Sequence, residues 1–218
     1  MKKNKAIIFD MGGVLVDLDL EACKKAFKDG LCYERIDEIL DACHQKGIFG
    51  EMEEGKLSAD EFRMAVLAES RRDAVPSDVD AALAKILVGI EPYKLELLHK
   101  LAEVYDIYML SNNNPIVVPI ASRMFAEGGF SMESDFRKCY FSYKMKALKP
   151  SLDFYKAVME DVGLPLENML FIDDSQLNVD GAIASGLRSV YYKPGSDLAA
   201  LLAEVLGDDT LRQGGAGC

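Results

Sequence analysis

From Pro92 onward the chain alternates, and that pattern limits its fold more than any other feature. Short apolar runs take turns with amphipathic stretches of helical period. Lys94–Glu103 reads as a helix, Tyr105–Leu110 as a strand, Ile116–Ala126 as a helix and Cys139–Phe141 as a strand. Leu152–Asp161, Met169–Ile172, Val179–Ser185 and Arg188–Tyr192 continue as helix, strand, helix and strand. Ser196 is expected to cap a last helix over Asp197–Leu206, after which the tail GDDTLRQGGAGC reads as frayed. Near the start, Lys5–Phe9 is a short isoleucine-bearing run that stops at Asp10, with the turn signal Gly12-Gly13 behind it. Strands this short and apolar, separated by helices, are buried on both faces. The expected architecture is α/β: a doubly wound parallel sheet, Rossmann-like, with helices on either side.

One block breaks the alternation. From about Asp19 to Val88 there is almost no strand signal. Leu20–Lys28 and Ile36–His44 are amphipathic, and Ser58-Ala59-Asp60-Glu61 has the form of a capping box that opens a helix to about Ser70. Ser77 is expected to cap a further helix over Asp78–Leu87, and Gly47–Lys56, rich in glycine and glutamate, reads as a loop. The division this implies is a core domain of residues 1–17 and 90–218 and an inserted α-helical cap of residues 18–89.

Charge and cysteine content narrow the functions. The formal net charge of -11 repels phosphate backbones, so nucleic acid is not an expected partner; a small anionic substrate is compatible, because a local site can oppose the global sign. Cys23, Cys32, Cys43, Cys139 and Cys218 are odd in number and form no CxxC pair, which fits reduced thiols in the cytoplasm. The basic start MKKNK precedes an apolar stretch of only Ala6 to Phe9, too short for a secretion signal, and no run approaches membrane-spanning length. The two histidines, His44 and His99, are spaced unlike a zinc site, and the oligomeric state stays open.

In open α/β sheets the chemistry gathers at the carboxyl ends of strands. Here one strand ends in Asp10, one in Ser111-Asn112-Asn113-Asn114 and one in Asp173-Asp174-Ser175; Lys149 precedes a proline between the last two. Carboxylates, a serine and a lysine converging on one rim can hold a divalent cation and a phosphate together, and hard oxygen ligands favour Mg²⁺. In the helical block, His44 and Glu51 to Glu54 are candidates to face a substrate.

FDMGGVLVD, YMLSNN, LKP and FIDDSQLNVDGAIASGL resemble, in order and on the right elements, the four motifs of the haloacid dehalogenase superfamily. The resemblance spans essentially the whole chain, and it is the ordered set that carries it. The wording GGVLVD, LSNNN and FIDDS is similar to bacterial sugar-phosphate phosphatases of the glucose-1-phosphate type. What the resemblance implies is a Mg²⁺-dependent phosphatase of a small phosphorylated metabolite. Asp10 would be the nucleophile and form an aspartyl-phosphate. Asp10, the backbone carbonyl of Gly12 and Asp174 would hold the metal. Ser111, Asn112 and Lys149 would hold the phosphate, with Lys149 also catalytic, and Asp173 and Asn178 would support the loop.

The chain departs from that family at Gly12, where most such phosphatases carry a second aspartate as general acid and base. A glycine transfers no proton. On this basis alone the rate is expected to depend steeply on leaving-group acidity, a sugar 1-phosphate outrunning the matching 6-phosphate. The departure also keeps two alternatives in view: a dehalogenase of the haloacid type, with Asp10 attacking carbon, and a catalytically weak phosphate-binding or regulatory protein.

Overall fold

The computed structural model describes residues 3–41 and 46–212. Its main sheet contains β1 (Ala6–Phe9), β4 (Asp106–Ser111), β5 (Lys138–Phe141), β6 (Met169–Asp173) and β7 (Ser189–Tyr191), all parallel, in the order β5-β4-β1-β6-β7. The first strand in sequence is thus the central one, with Ile8 opposite Tyr108 on one side and Phe171 on the other. Side chains alternate faces along a strand, so β1 feeds two cores. Ile7 and Phe9 join one apolar cluster, and Ala6 and Ile8 the other. The first cluster takes Leu97, Leu98 and Leu101 of α6 (Pro92–Val104), Ala121 and Phe125 of α7 (Val117–Glu127) and Leu202 of α11 (Leu198–Leu206). The second takes Phe154, Tyr155 and Val158 of α9 (Leu152–Val162) and Ala182 of α10 (Gln176–Ala184). Burial on both faces explains why these strands read as unbroken apolar runs.

The block between β1 and α6 is helical, as its lack of strand signal predicts, with three differences. Gly47–Lys56 is not a loop: Gly47–Glu53 forms α3, which buries Phe49 and Met52. Two glycines lower its intrinsic helix propensity, and tertiary packing overrides them; Phe49 meets Phe62 of α4 (Ala59–Ala68) edge-on at 5.9 Å. The helix expected over Ile36–His44 is short, α2 spanning Ile36–Ile39; His44 lies outside the described residues. Leu20–Lys28 is α1 (Leu20–Lys25) continued by a π-helical turn, Ala26–Gly30.

Two caps shift. The fifth helix, α5, starts at Pro76, not after Ser77, because proline's fixed φ suits the first helical position, and the Asp78 carboxylate accepts from the Val75 amide at 3.1 Å. The last helix is capped by Asp197 instead of Ser196; Asp197 accepts from the Ala200 amide at 3.1 Å, while Ser196 Oγ donates to the Lys193 carbonyl. The box at Ser58 and Glu61 forms as the sequence predicts, with Ser58 N donating to Glu61 Oε2 at 2.9 Å and Glu61 N to Ser58 Oγ at 3.2 Å.

A small antiparallel ribbon escapes the sequence reading. β2 (Asp17–Leu18) pairs with β3 (Leu87–Gly89), one strand before and one after the run of helices between β1 and α6. It is tied down by Lys94, a fully buried lysine whose Nζ lies 2.9 Å from Asp17 Oδ1 and 3.2 Å from Glu91 Oε1. No helix among the described residues is long and apolar enough to cross a membrane.

Candidate active site

The carboxyl ends of β1, β4 and β6 meet under α3. They line a cavity of about 540 Å³ with Asp10, Gly12, Ser111, Asn112, Lys149, Asp174 and Asn178 on its floor and Phe49, Gly50 and Glu53 contributed by α3. Asp10, Gly12, Ser111, Asn112, Lys149, Asp174 and Asn178 all border this cavity as predicted, and Asp173 lies fully buried beneath it; of the glutamates in the helical block Glu53 borders it and Glu51 and Glu54 do not.

Lys149 organises the floor. Its Nζ lies 3.0 Å from Asp10 Oδ1 and 2.6 Å from Asp173 Oδ2, and donates to the Leu110 carbonyl at 3.1 Å. Asp173 is fully committed: Oδ1 accepts from the Ser175 amide at 2.8 Å and from Asn178 Nδ2 at 3.0 Å, and Oδ2 faces Lys149. It is therefore a brace that aims the lysine and fixes the loop after β6. Asp10 differs. Its Oδ1 takes Lys149 and the Met11 amide at 2.7 Å, which leaves Oδ2 without a partner among the described residues.

Asp174 stands beside them, and one oxygen from each of Asp10, Asp173 and Asp174 falls within 4.8 Å of the others. Gly13 makes that approach possible. Its φ of +73° is a left-handed conformation, and a Cβ there would come 2.1 Å from Asp174 Oδ2. Gly13→Ala is expected to displace Asp174 as well as strain the turn by about 1–2 kcal/mol. The Mg²⁺ concentration for half-maximal activity should rise at least about tenfold if Asp174 is displaced by ~1.4 kcal/mol of binding energy; an unchanged Mg²⁺ dependence would refute this account of the glycine.

The electrostatics favour a cation. Three carboxylates face one ammonium. Burial pushes Asp10 up to about 7, with Asp173 and Asp174 adding to the rise and Lys149 opposing it. Burial and the Asp173 charge push Asp174 up to about 6. For Lys149, burial works against the charged form, but Asp10 and Asp173 outweigh it and the net direction is upward. The uncompensated negative charge and the open oxygens of Asp10 and Asp174 fit a hard divalent ion such as Mg²⁺.

Asn112, expected to touch substrate, borders the cavity and is also bonded to the backbone of Lys149. Its Nδ2 donates to the Lys149 carbonyl at 3.0 Å and its Oδ1 accepts from the Lys149 amide at 2.8 Å. The side chain clamps the lysine's backbone to the end of β4. Among the described residues the Ser111 hydroxyl donates only to the Asn112 carbonyl, and that bond is long at 3.5 Å. Asn114 caps α7, accepting from the amides of Ile116 and Val117. His99 is exposed and packs edge-on to Phe130, away from the cavity.

Sequence reasoning named Glu51, Glu53 and Glu54 but placed them in a loop; of the three, Glu53 borders the cavity, on the buried side of α3 with Phe49 and Met52.

Comparison with known proteins agrees with this geometry. Residues 4–186 match the haloacid dehalogenase-like hydrolase family. The chain is 34% identical over 204 residues to a D-ribitol-5-phosphate phosphatase from Bacteroides thetaiotaomicron, covering 93% of this chain and 98% of that protein. Among solved structures it is similar to a haloacid dehalogenase family enzyme from B. thetaiotaomicron in complex with magnesium and inorganic phosphate, with a TM-score of 0.83, 37% identity and coverage of 90% and 98%. A predicted HAD-like family hydrolase from Porphyromonas gingivalis gives a TM-score of 0.84 at 32% identity, covering 93% and 97%. An L-2-haloacid dehalogenase from Xanthobacter autotrophicus, 18% identical with a TM-score of 0.56, shares the fold alone. The ordered motifs, the parallel sheet and these matches together make the chain a member of the haloacid dehalogenase-like hydrolase family.

Proposed function

We propose that this chain is a Mg²⁺-dependent phosphatase that hydrolyses a small phosphorylated sugar or polyol through an aspartyl-phosphate on Asp10. The observation that carries the reading is Asp10 Oδ2, unpartnered among the described residues, on the floor of a cavity that also holds Asp174, Asp173 beneath it and a buried lysine. The similarity to a D-ribitol-5-phosphate phosphatase supports a sugar or polyol phosphate as substrate class.

Asp10, Asp174 and the Gly12 carbonyl are the assigned metal ligands. Asp173 is committed to Lys149, Ser175 and Asn178 and serves as support. The bound ion neutralises charge on the phosphoryl group. Ser111 Oγ and the Lys149 ammonium hold its remaining oxygens while Asp10 attacks phosphorus. Asn112 and Asn178 keep Lys149 and Asp173 in place. Residues 18–89 are assigned as the cap and 1–17 with 90–218 as the core; the β2–β3 ribbon falls at both crossings. The free thiols of Cys23, Cys32 and Cys139 are in keeping with a cytoplasmic setting.

The test is phosphate release from a panel of pentitol, sugar and nucleoside phosphates, with Mg²⁺ and with chelator. Turnover of a sugar or polyol phosphate that stops in chelator and returns with Mg²⁺ is the expected result. Turnover undiminished in chelator, or confined to nucleotides, would overturn the reading. Asp174→Ala should raise the half-saturating Mg²⁺ concentration by about 10²-fold or more, as loss of a charged ligand of ~3 kcal/mol requires; an unshifted titration would remove Asp174 from the ligand set.

A further inference from the structure

Gly12 leaves the site without the side chain that should protonate the departing oxygen, and the structure shows that the backbone does not demand the glycine. Its φ is outside the left-handed region, unlike that of Gly13. A Cβ at position 12 would meet only the flexible end of Leu18, Cδ1 at 2.8 Å. Leu18 fills the space in which an acidic side chain at position 12 would begin. The proton must come from elsewhere, and the cavity offers a group for it.

We propose that Glu53, brought in on α3 from the helical block, is the general acid and base that Gly12 cannot be. The proposal rests on the phosphatase reading above. Glu53 is 8% exposed and lines the same cavity as Asp10, Gly12 and Asp174. Among the described residues its carboxyl makes no hydrogen bond and no ion pair, and since no fully buried side-chain oxygen there lacks a partner, its oxygens are open to the cavity. A group so placed has no part in holding the fold together.

Its position is firmly set. Two residues on, Gly55 has a φ of +70° and packs so tightly on Tyr143 of the core that a Cβ there would lie 2.3 Å from the Tyr143 carbonyl oxygen. The end of α3 is thereby pressed against the core beside α8 (Ser142–Met145). Burial pushes the Glu53 carboxyl up to about 8, the Asp10 charge adding to the rise and Lys149 opposing it. Burial thus favours the protonated form, the one that can donate.

The proton balance closes over two steps. In the first, an Asp10 oxygen bonds to phosphorus as the bond from phosphorus to the ester oxygen breaks. The ester oxygen keeps the electron pair, takes the proton of the Glu53 carboxylic acid and leaves as an alcohol. In the second, a water oxygen bonds to phosphorus, its proton passes to the Glu53 carboxylate, and the bond from phosphorus to Asp10 breaks. Inorganic phosphate departs and both side chains return to their starting states. Helical-block and core residues thus share one reaction, so the proton donor is present only when α3 sits over the floor.

The experiment compares kcat/KM for native protein and Glu53→Gln on an alkyl phosphate and on p-nitrophenyl phosphate, both with Mg²⁺. The aryl leaving group departs without a proton, and kcat/KM reports only steps through phosphoryl transfer. The expected result is a fall of roughly 10²–10⁴-fold on the alkyl ester, with the aryl ester within a few-fold of native. The Tm of the variant should equal or exceed the native value, since a buried unpaired carboxyl is removed. An equal fall on both esters, or no fall on either, would overturn the assignment. Native protein that cleaves neither ester, nor any member of the sugar and polyol panel, would instead overturn the phosphatase reading and this inference with it.

Discussion

Asp10→Asn is expected to reduce turnover by at least about 10³-fold, the scale on which loss of a nucleophile acts. The substitution preserves shape. Asparagine still accepts from the Met11 amide and still fits at the end of β1, so the floor should keep its form. What disappears is the attacking oxygen. In the native chain Oδ2 of Asp10 has no partner among the described residues, whereas in the variant that position is either an amide nitrogen or a neutral carbonyl. Stability should not fall with activity. The substitution removes one of three crowded carboxylates, and Lys149 keeps Asp173 as a partner at 2.6 Å. The decisive measurements are kcat on a sugar or polyol phosphate, acid-quench trapping of phosphorylated native protein, and Tm. Mass spectrometry must exclude deamidation back to aspartate. A variant that keeps more than about a tenth of native kcat would rule out Asp10 as the covalent nucleophile.

Lys149→Ala should combine loss of activity with loss of stability, and the pH dependence separates the causes. The ammonium sits between two buried carboxylates. Removing one partner of a buried ion pair and leaving the other costs on the order of 3–5 kcal/mol. For a domain of this size that is a fall in Tm on the order of 10 °C. Activity falls for a different reason, because the phosphate loses its positive neighbour. The stability effect should grow with pH when measured in chelator. Lysine lowers the Asp10 carboxyl, so without it the folded value climbs above the native value of about 7, further from the reference of 3.8. A carboxyl with a raised folded pKa favours the folded chain below its unfolded value and loses that advantage as pH rises through the folded one. The two proteins lose this advantage in parallel up to about pH 6, so the gap in Tm between native and variant must open only above that, as pH passes the native value of about 7. A gap that is constant with pH would mean that Lys149 acts through packing alone.

Local chemistry decided much of this protein. Runs such as Ala6–Phe9 and Met169–Asp173 announce buried parallel strands because both their faces must be apolar. Asp10, Ser111 and Asp174 are legible because a sheet of this kind delivers the ends of its strands to one rim. The Ser58–Glu61 box is legible because it is made of neighbours in sequence.

What only the tertiary structure decided involves partners distant along the chain. Asn112 reads from the sequence as a cavity residue, but only the fold shows its amide on the backbone of Lys149, 37 residues away. Asp173 and Asp174 are adjacent and alike in sequence; Lys149 and Asn178 separate their roles by claiming the first. The β2–β3 ribbon joins segments too short to carry a strand signal of their own, so pairing alone makes them strands. Glu53 shows the difference most sharply. In sequence it is one of several glutamates beside glycines, in a segment whose propensity argues against a helix. Packing of Phe49 on Phe62 makes the helix, Gly55 against Tyr143 fixes where it ends, and burial then alters the acid itself. Side-chain identity is written in the sequence, but the desolvation that sets a carboxyl's proton affinity is a property of everything packed around it.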